Sequence, residues 1–313
     1  MEDVFRKLEE IMKKDKVLRG YILITPVKNE EKNLSHLIRS VINQTIKPSL
    51  WVIIDDGSAD NTPNMIKKAR EEYEWIQSIR LDSTVRDRLL HLANVVKKGF
   101  DFALEYCRNN GINYNYLGNV DADVLLEKSY FESLIKKFEE NPILGLACGG
   151  RWIFDGNRTI HIKIRLPYGG ALLIRKECFE DCGGIPQSYA WDSVLNIKAI
   201  LKGWEIKRFN DIRYFSLRPG YSAEGLWKGN KEHGEEYYFL GFNLFHVLIK
   251  GLKMSFKRPY YPGFAYLYGY FKSLLLRKKK INDKEIRYYY KYIRPQEIQR
   301  YYFDMLKNKL KRK

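Results

Sequence analysis

Residues 114–126, YNYLGNVDADVLL, constrain the fold of this chain more than any other stretch. Tyr116 to Val120 reads as a short buried strand that stops at Asp121 and Asp123, one residue apart. An apolar run that ends on carboxylates leaves them at the edge of a sheet, facing a crevice. Two close carboxylates repel unless a cation stands between them. A hard divalent cation, Mg2+ or Mn2+, takes oxygen ligands and bridges to phosphate, and so suits that place. A plain surface turn is the alternative, because Asp is common in turns.

The rest of the first half repeats the pattern. Residues 21–27, YILITPV, form a predicted strand closed by Pro26, and a helix is expected over 31–44 with Leu34, Leu37, Ile38, Val41 and Ile42 inward. Residues 50–54 make a second strand ending in Asp55-Asp56-Gly57-Ser58. Asp60 is placed to cap a helix running through Arg70. A third strand is expected over 76–81 and a long helix over 86–108. Strand and helix alternate throughout, which implies a mostly parallel sheet covered by helices on both faces. Such sheets bind ligands beyond the carboxyl ends of their strands. The polar clusters 25–30, 55–58 and 121–123 all fall there.

Composition limits the remaining choices. With 313 residues and 45% hydrophobic content the chain can bury a substantial core. It has no run of about 18 uncharged apolar residues, so no spanning helix is expected. The opening segment, MEDVFRKLEEIMKKDK, lacks a signal-peptide core and places Val4, Leu8, Ile11 and Met12 on one face of a leading amphipathic helix. Cys107, Cys148, Cys178 and Cys182 show no C-x-x-C pair and read as buried thiols of a reducing, cytoplasmic compartment. The net charge is +17, yet residues 271–313 hold 15 Lys and Arg against 4 Asp and Glu. Most of the excess therefore belongs to a tail with its own binding task.

Three segments, TPVKNEEKNLSHLIRSVINQT (25–45), WVIIDDGSADNT (51–62) and NVDADV (119–124), resemble the nucleotide-sugar-binding half of the family 2 glycosyltransferases, the inverting GT-A type. The similarity continues through GGALLIRKECFEDCGG (169–184) and YAWDSVLNIKAILKGWEI (189–206), about two thirds of the chain in all. It implies the GT-A fold, a Rossmann-like mixed α/β sheet flanked by helices. The expected organisation is a leading helix at 1–20, a GT-A domain at 21–225 and a basic, Tyr-rich helical extension at 226–313.

The resemblance also assigns roles. Thr25, Pro26 and Glu30 fall in the loop that lies along the nucleoside of the donor, and Asp56 matches the acid that bonds its base. Arg88 matches a basic residue approaching base and phosphates. Asp121 would hold the ribose or support the metal, and Asp123 would ligate it. A bound Mn2+ or Mg2+ would neutralise the diphosphate as the glycosidic bond breaks. Asp192, at the start of an expected amphipathic helix, falls where the family places its general base. Helix capping is the other reading of Asp192. Relatives often have Glu-Asp here, whereas this chain has Trp191-Asp192. Many also carry a metal-binding His where this chain offers Ser216, and Arg218 close by is expected to take over part of the phosphate neutralisation.

Beyond residue 220 the match fades. A loop over the active site and an apolar helix at 237–252 are expected, then Lys- and Tyr-rich helices. The tail reads either as a packed extension or as a peripheral membrane anchor. The function implied is transfer of a sugar from a UDP- or GDP-linked donor to a hydroxyl of a lipid-linked or polysaccharide acceptor, at the cytoplasmic membrane face. A sugar nucleotidyltransferase would want a Gly-rich phosphate loop that TPVKNEEKN lacks. A nucleic-acid-binding protein would use the basic aromatic tail, but the acidic strand ends repel phosphate, so no specific nucleic-acid partner is expected.

Overall fold

The computed structural model describes residues 20–82, 88–156, 158–162, 166–218, 225–256, 258–300 and 303. The expected leading helix lies outside them, as do residues 219–224 of the expected loop. The described residues form two compact units. One comprises those up to Gln187 together with Trp191–Leu217; the other comprises Ser188–Ala190 and those from Arg218 on. The border lies ahead of the expected boundary at 225.

The first unit is built on nine paired strands. Four of them, β1 (Tyr21–Val27), β2 (Leu50–Asp55), β3 (Ile76–Arg80) and β4 (Tyr116–Val120), pair in parallel in the order β3-β2-β1-β4. Every residue of β2 and β4 is buried, as expected of strands covered on both faces. One face packs on α1 (Leu34–Ile42), α2 (Thr62–Glu72) and α4 (Tyr130–Glu140), through Leu34, Leu37, Phe131 and Phe138 among others. The opposite face packs on α3 (Arg88–Asn109), α5 (Lys176–Asp181) and α6 (Trp191–Leu201), through Val96, Phe100, Phe179 and Leu195. Each such side chain contributes about 1.5–3 kcal/mol when fully buried.

The expectation of a mostly parallel sheet holds for this half only. β8 (Ala171–Arg175) enters antiparallel to β4, so its first residue, Ala171, stands beside Val120. β6 (Leu144–Asp155) runs antiparallel to β8, parallel to β9 (Glu205–Ser216), and turns back into β7 (Arg158–Ile162). β5 (Val124–Leu126) pairs with the end of β9, Val124 opposite Ser216. The reversal matters because it brings the loop before β8 onto the carboxyl end of β4. The four cysteines are buried free thiols.

Asp60 acts one position away from its expected role. Asn61 occupies the cap position of α2, while Asp60 Oδ1 accepts from the Thr62 N–H (3.0 Å).

The second unit is helical where described. The loop expected ahead of residue 237 is instead helical from Leu226, forming α7 (Leu226–Leu240), and the helix expected at 237–252 is broken at Gly241, with α8 (Leu244–Ser255) beyond it. Gly241 separates them at φ +85, a left-handed turn in which the Phe242 N–H returns to the Tyr237 carbonyl (3.1 Å). Glycine adopts that conformation without a Cβ penalty, which is how helices commonly end. α9 (Tyr261–Leu275) packs on both. α10 (Lys284–Tyr288), capped by Asp283 through the Glu285 and Ile286 N–H groups, runs on into a wider π-type turn at Tyr289–Ile293. Of the tail tyrosines, Tyr289 and Tyr290 belong to the core, and Tyr288 and Tyr292 are exposed. Tyr301 and Tyr302 lie outside the described residues. Among the described residues no helix is long and apolar enough to cross a membrane.

Candidate active site

The β1 and β2 loops are stitched together at the carboxyl edge of the sheet. Asn29 donates its N–H to Ser58 Oγ (3.0 Å) and accepts from the Ala59 N–H (2.8 Å). The Glu30 N–H donates to Thr62 Oγ1 (2.8 Å), and the buried Glu30 carboxylate accepts from Asn33 Nδ2 (2.8 Å). Glu30 therefore helps to start α1. Thr25 is fully buried, and its hydroxyl oxygen accepts from the Trp51 indole N–H (3.0 Å). Its side chain is a core contact, which leaves the Thr25 backbone and the half-buried Pro26 at the edge expected to lie along a nucleoside.

Asp55 and Asp56 have separate partners. Asp55 accepts from Arg80 Nη1 (2.6 Å) and from the Ser58 N–H (2.8 Å), which shapes the turn. Asp56, 6% exposed, is held by Lys28 Nζ (3.2 Å) and by His91 Nε2, 2.8 Å from both of its oxygens. Sequence reasoning missed Lys28 and His91. Their only signal is position: Lys28 follows β1, and His91 lies one helical turn beyond Arg88. Arg88 opens α3, but its side chain lies outside the described residues.

Asp121 and Asp192 are brought together by the two glycines before β8. The Asp121 N–H donates to the Gly170 carbonyl (2.9 Å), and the Gly169 N–H donates to Asp192 Oδ2 (2.9 Å). A Cβ on Gly170 would lie 2.5 Å from Asp121 Oδ2; one on Gly169 would lie 2.8 Å from the Trp191 ring and 3.3 Å from Asp192 Oδ2. Only glycines leave room for both carboxylates. Asn119, fully buried, fixes this loop by donating to the Gly169 carbonyl (2.6 Å). Asp192 Oδ1 accepts from the Ser193 N–H (2.7 Å) in the first turn of α6, where a carboxylate is favoured by the helix dipole.

The electrostatics are one-sided. Burial, then the Asp123 and Asp192 carboxylates, push Asp121 up to about 7, and Arg151 and Asn119 offset this only in part. Burial also raises Asp192, against the hydrogen bonds from Gly169 and Ser193. Arg151 is the cation that offsets Asp121, as Arg208 does Asp192, and neither was foreseen from the sequence. Arg151 is buried, donates to Ser216 Oγ (2.8 Å), and lies 5.3 Å from the Tyr168 ring centre. Ser216 is thus occupied by Arg151, in the place where a third metal ligand was in question. The Leu217 N–H donates to the Asp123 carbonyl (2.8 Å), which ties the end of β9 to the loop after β4. Arg218 begins the second unit.

Among the described residues no three His, Cys, Asp or Glu side chains are grouped to hold one metal ion. The donor set still fits a hard cation. Asp121 and Asp123 would supply oxygen ligands within an excess of negative charge that a dication would relieve. Such ions commonly keep several positions for water and substrate phosphate rather than for protein ligands.

A family model described as "Glycosyl transferase family 2" matches residues 22–194. The poly-beta-1,6-N-acetyl-D-glucosamine synthase of Staphylococcus epidermidis is 23% identical over 282 residues, which cover 81% of this chain and 63% of that protein. The chain thus spans less than two thirds of that relative's length. Two solved structures share the fold. The mannosyltransferase PcManGT from Pyrobaculum calidifontis, in complex with GDP-Man and Mn2+, has a TM-score of 0.50 at 15% identity, covering 82% of this chain and 73% of its own. GalNAc-T7 with UDP, GalNAc and Mn2+ has a TM-score of 0.52 at 11% identity, covering 84% and 57%.

Proposed function

Because this chain belongs to glycosyl transferase family 2 and has the GT-A fold, we propose that it moves a sugar, with inversion, from a UDP- or GDP-linked donor to a hydroxyl of a lipid-linked or polysaccharide acceptor. The observation that carries this reading is the pairing of Asp121 and Asp192 on Gly169-Gly170. It sets a carboxylate at a sheet edge beside a second one on another element.

The roles follow from what each side chain can do. Asp192 is the general base that takes the proton of the acceptor hydroxyl. Two backbone N–H groups orient its carboxylate, and burial raises its proton affinity, which strengthens it as a base. Asp121 and Asp123 would hold Mn2+ or Mg2+, which supplies neutralisation of the diphosphate leaving group. Arg151, buried beside Ser216 and within electrostatic reach of Asp121, keeps that carboxylate from carrying its charge alone. Thr25, Pro26, Glu30, Asp56 and Arg88 are assigned to the donor, with Lys28 and His91 holding the Asp56 carboxylate in place. The names of the relatives, a polysaccharide synthase and enzymes in complex with UDP or GDP-Man, support a nucleotide-linked donor and a polysaccharide acceptor.

Asp192→Asn tests the assignment. A positioned base contributes roughly 100-fold to 10,000-fold, so transfer should fall by that factor while nucleotide-sugar affinity stays at the parent value. Transfer at near the parent rate would leave Asp192 a helix cap only.

A further inference from the structure

The outer face of α8 is apolar and, among the described residues, uncovered. The inner stripe of this helix meets α9: Val247 is fully buried, and a Cβ on Gly251 would fall 2.5 Å from the Leu267 side chain. On the opposite side Phe245, Ile249 and Leu252 follow helical spacing and are 75%, 51% and 56% exposed. Phe256, at the end of the helix, is 82% exposed, and Phe264 in the first turn of α9 is 61% exposed. A helix that is apolar on every side belongs where every side is buried. Among the described residues only half of this one is covered.

Charge selects what covers the rest. Residues 237–282 contain nine Lys and Arg and no Asp or Glu. Lys250 turns inward, its ammonium 3.8 Å from the Tyr237 ring centre and hydrogen-bonded to the Tyr237 hydroxyl. Lys253 and Arg258 are exposed beside the bare stripe, with Tyr260 and Tyr261 also exposed after it. A second copy of this chain would set the same cations against themselves, which disfavours that pairing. Apolar aromatic residues rimmed by cations and Tyr suit an anionic lipid surface, where the rings enter the acyl boundary and the cations meet headgroups. Twelve residues of helix reach about 18 Å, against roughly 30 Å of hydrocarbon, so α8 can lie in such a surface but not cross it.

We propose that the outer face of α8, with Phe256 and Phe264, is a docking surface for anionic lipid bilayers. The proposal does not rest on the transfer chemistry. It assigns the apolar part of attachment to α8 and the start of α9, not to the basic tail.

Flotation of the full chain with vesicles provides the test, comparing phosphatidylcholine alone with phosphatidylcholine mixed with phosphatidylglycerol. The chain should float with the mixed vesicles, and high salt should weaken but not abolish retention, because only the charge contribution is screened. Phe245→Ser combined with Phe256→Ser should lower partitioning by roughly 100-fold, about tenfold or more per aromatic ring withdrawn from the acyl boundary. Both side chains are exposed, so melting temperature should remain at the parent value. Failure to float with the mixed vesicles overturns the proposal, as does equal retention by the double variant. A parent dimer that the double variant dissociates also overturns it, since the face would then join two copies.

Discussion

Gly170→Ala probes the link between fold and site most directly. The φ of Gly170 is not in the left-handed region, so the backbone accepts alanine and the cost is one of contact. The added Cβ would lie 2.5 Å from Asp121 Oδ2 and 2.6 Å from Tyr168 Cε1, about 0.9 Å short of ordinary contact on the carboxylate side. The Tyr168 ring is half-buried behind Arg151, and Asp121 is held through its backbone to Gly170 itself. The carboxylate is therefore the part that moves. Overpacking of this kind costs about 1–3 kcal/mol, and a displacement near 1 Å in a catalytic group costs on the order of 100-fold in rate. Transfer kinetics, donor affinity with and without Mn2+, and denaturant unfolding should be measured together. The expected result is a fall in transfer of about 100-fold with a weakened response to Mn2+, alongside a modest loss of stability. Gly183→Ala is the control, because φ +72 strains the backbone while nothing stands within 4 Å of its Cβ. It should lose about 1 kcal/mol of stability and no activity. Equal activity of Gly170→Ala and the parent would refute the idea that these glycines set the carboxylate positions.

Other outcomes follow from the same structure. Asp123→Ala should fold normally and lose the effect of chelator and Mn2+ on nucleotide-sugar binding; unchanged donor affinity and metal response would remove it from the metal site. In the second unit, Gly234 and Gly269 lie on facing helices, and a Cβ at each would fall 1.9 Å from the Tyr266 and Lys231 carbonyls respectively. Alanine at either position should cost about 3 kcal/mol in urea unfolding, because backbone atoms cannot step aside as a side-chain end can. His246 is pushed from 6.5 to about 4, first by burial and then by Lys250 and Arg294. Its folded form binds fewer protons than the unfolded chain between those values, so stability is complete above pH 6.5 and falls as pH drops towards 4. The full shift corresponds to roughly 3 kcal/mol, and partial solvent contact reduces the expected effect to about 1–2 kcal/mol. His246→Asn should flatten that slope between pH 7 and pH 5, measured by urea unfolding.

The sequence by itself determined the elements of the first half and the edge on which their chemistry lies. β1, β4 and the carboxylates that follow them were legible because a buried parallel strand must be apolar along its length and must stop where it turns polar. Family resemblance then supplied roles that period and composition do not encode. Lys28, His91 and Arg151 escaped because a lone basic side chain looks the same in sequence whether it is solvated or bonded to a buried partner. The Thr25 hydroxyl bond was hidden for a related reason, as a hydroxyl at a strand end gives no sign that an indole 26 residues away will donate to it. The break at Gly241 was hidden inside one apolar run, since both flanking helices need the same residues. Only the tertiary structure decided that Asp121 and Asp192 meet. That meeting depends on β8 entering antiparallel to β4, a pairing made by long-range backbone hydrogen bonds that leave no local period in the sequence.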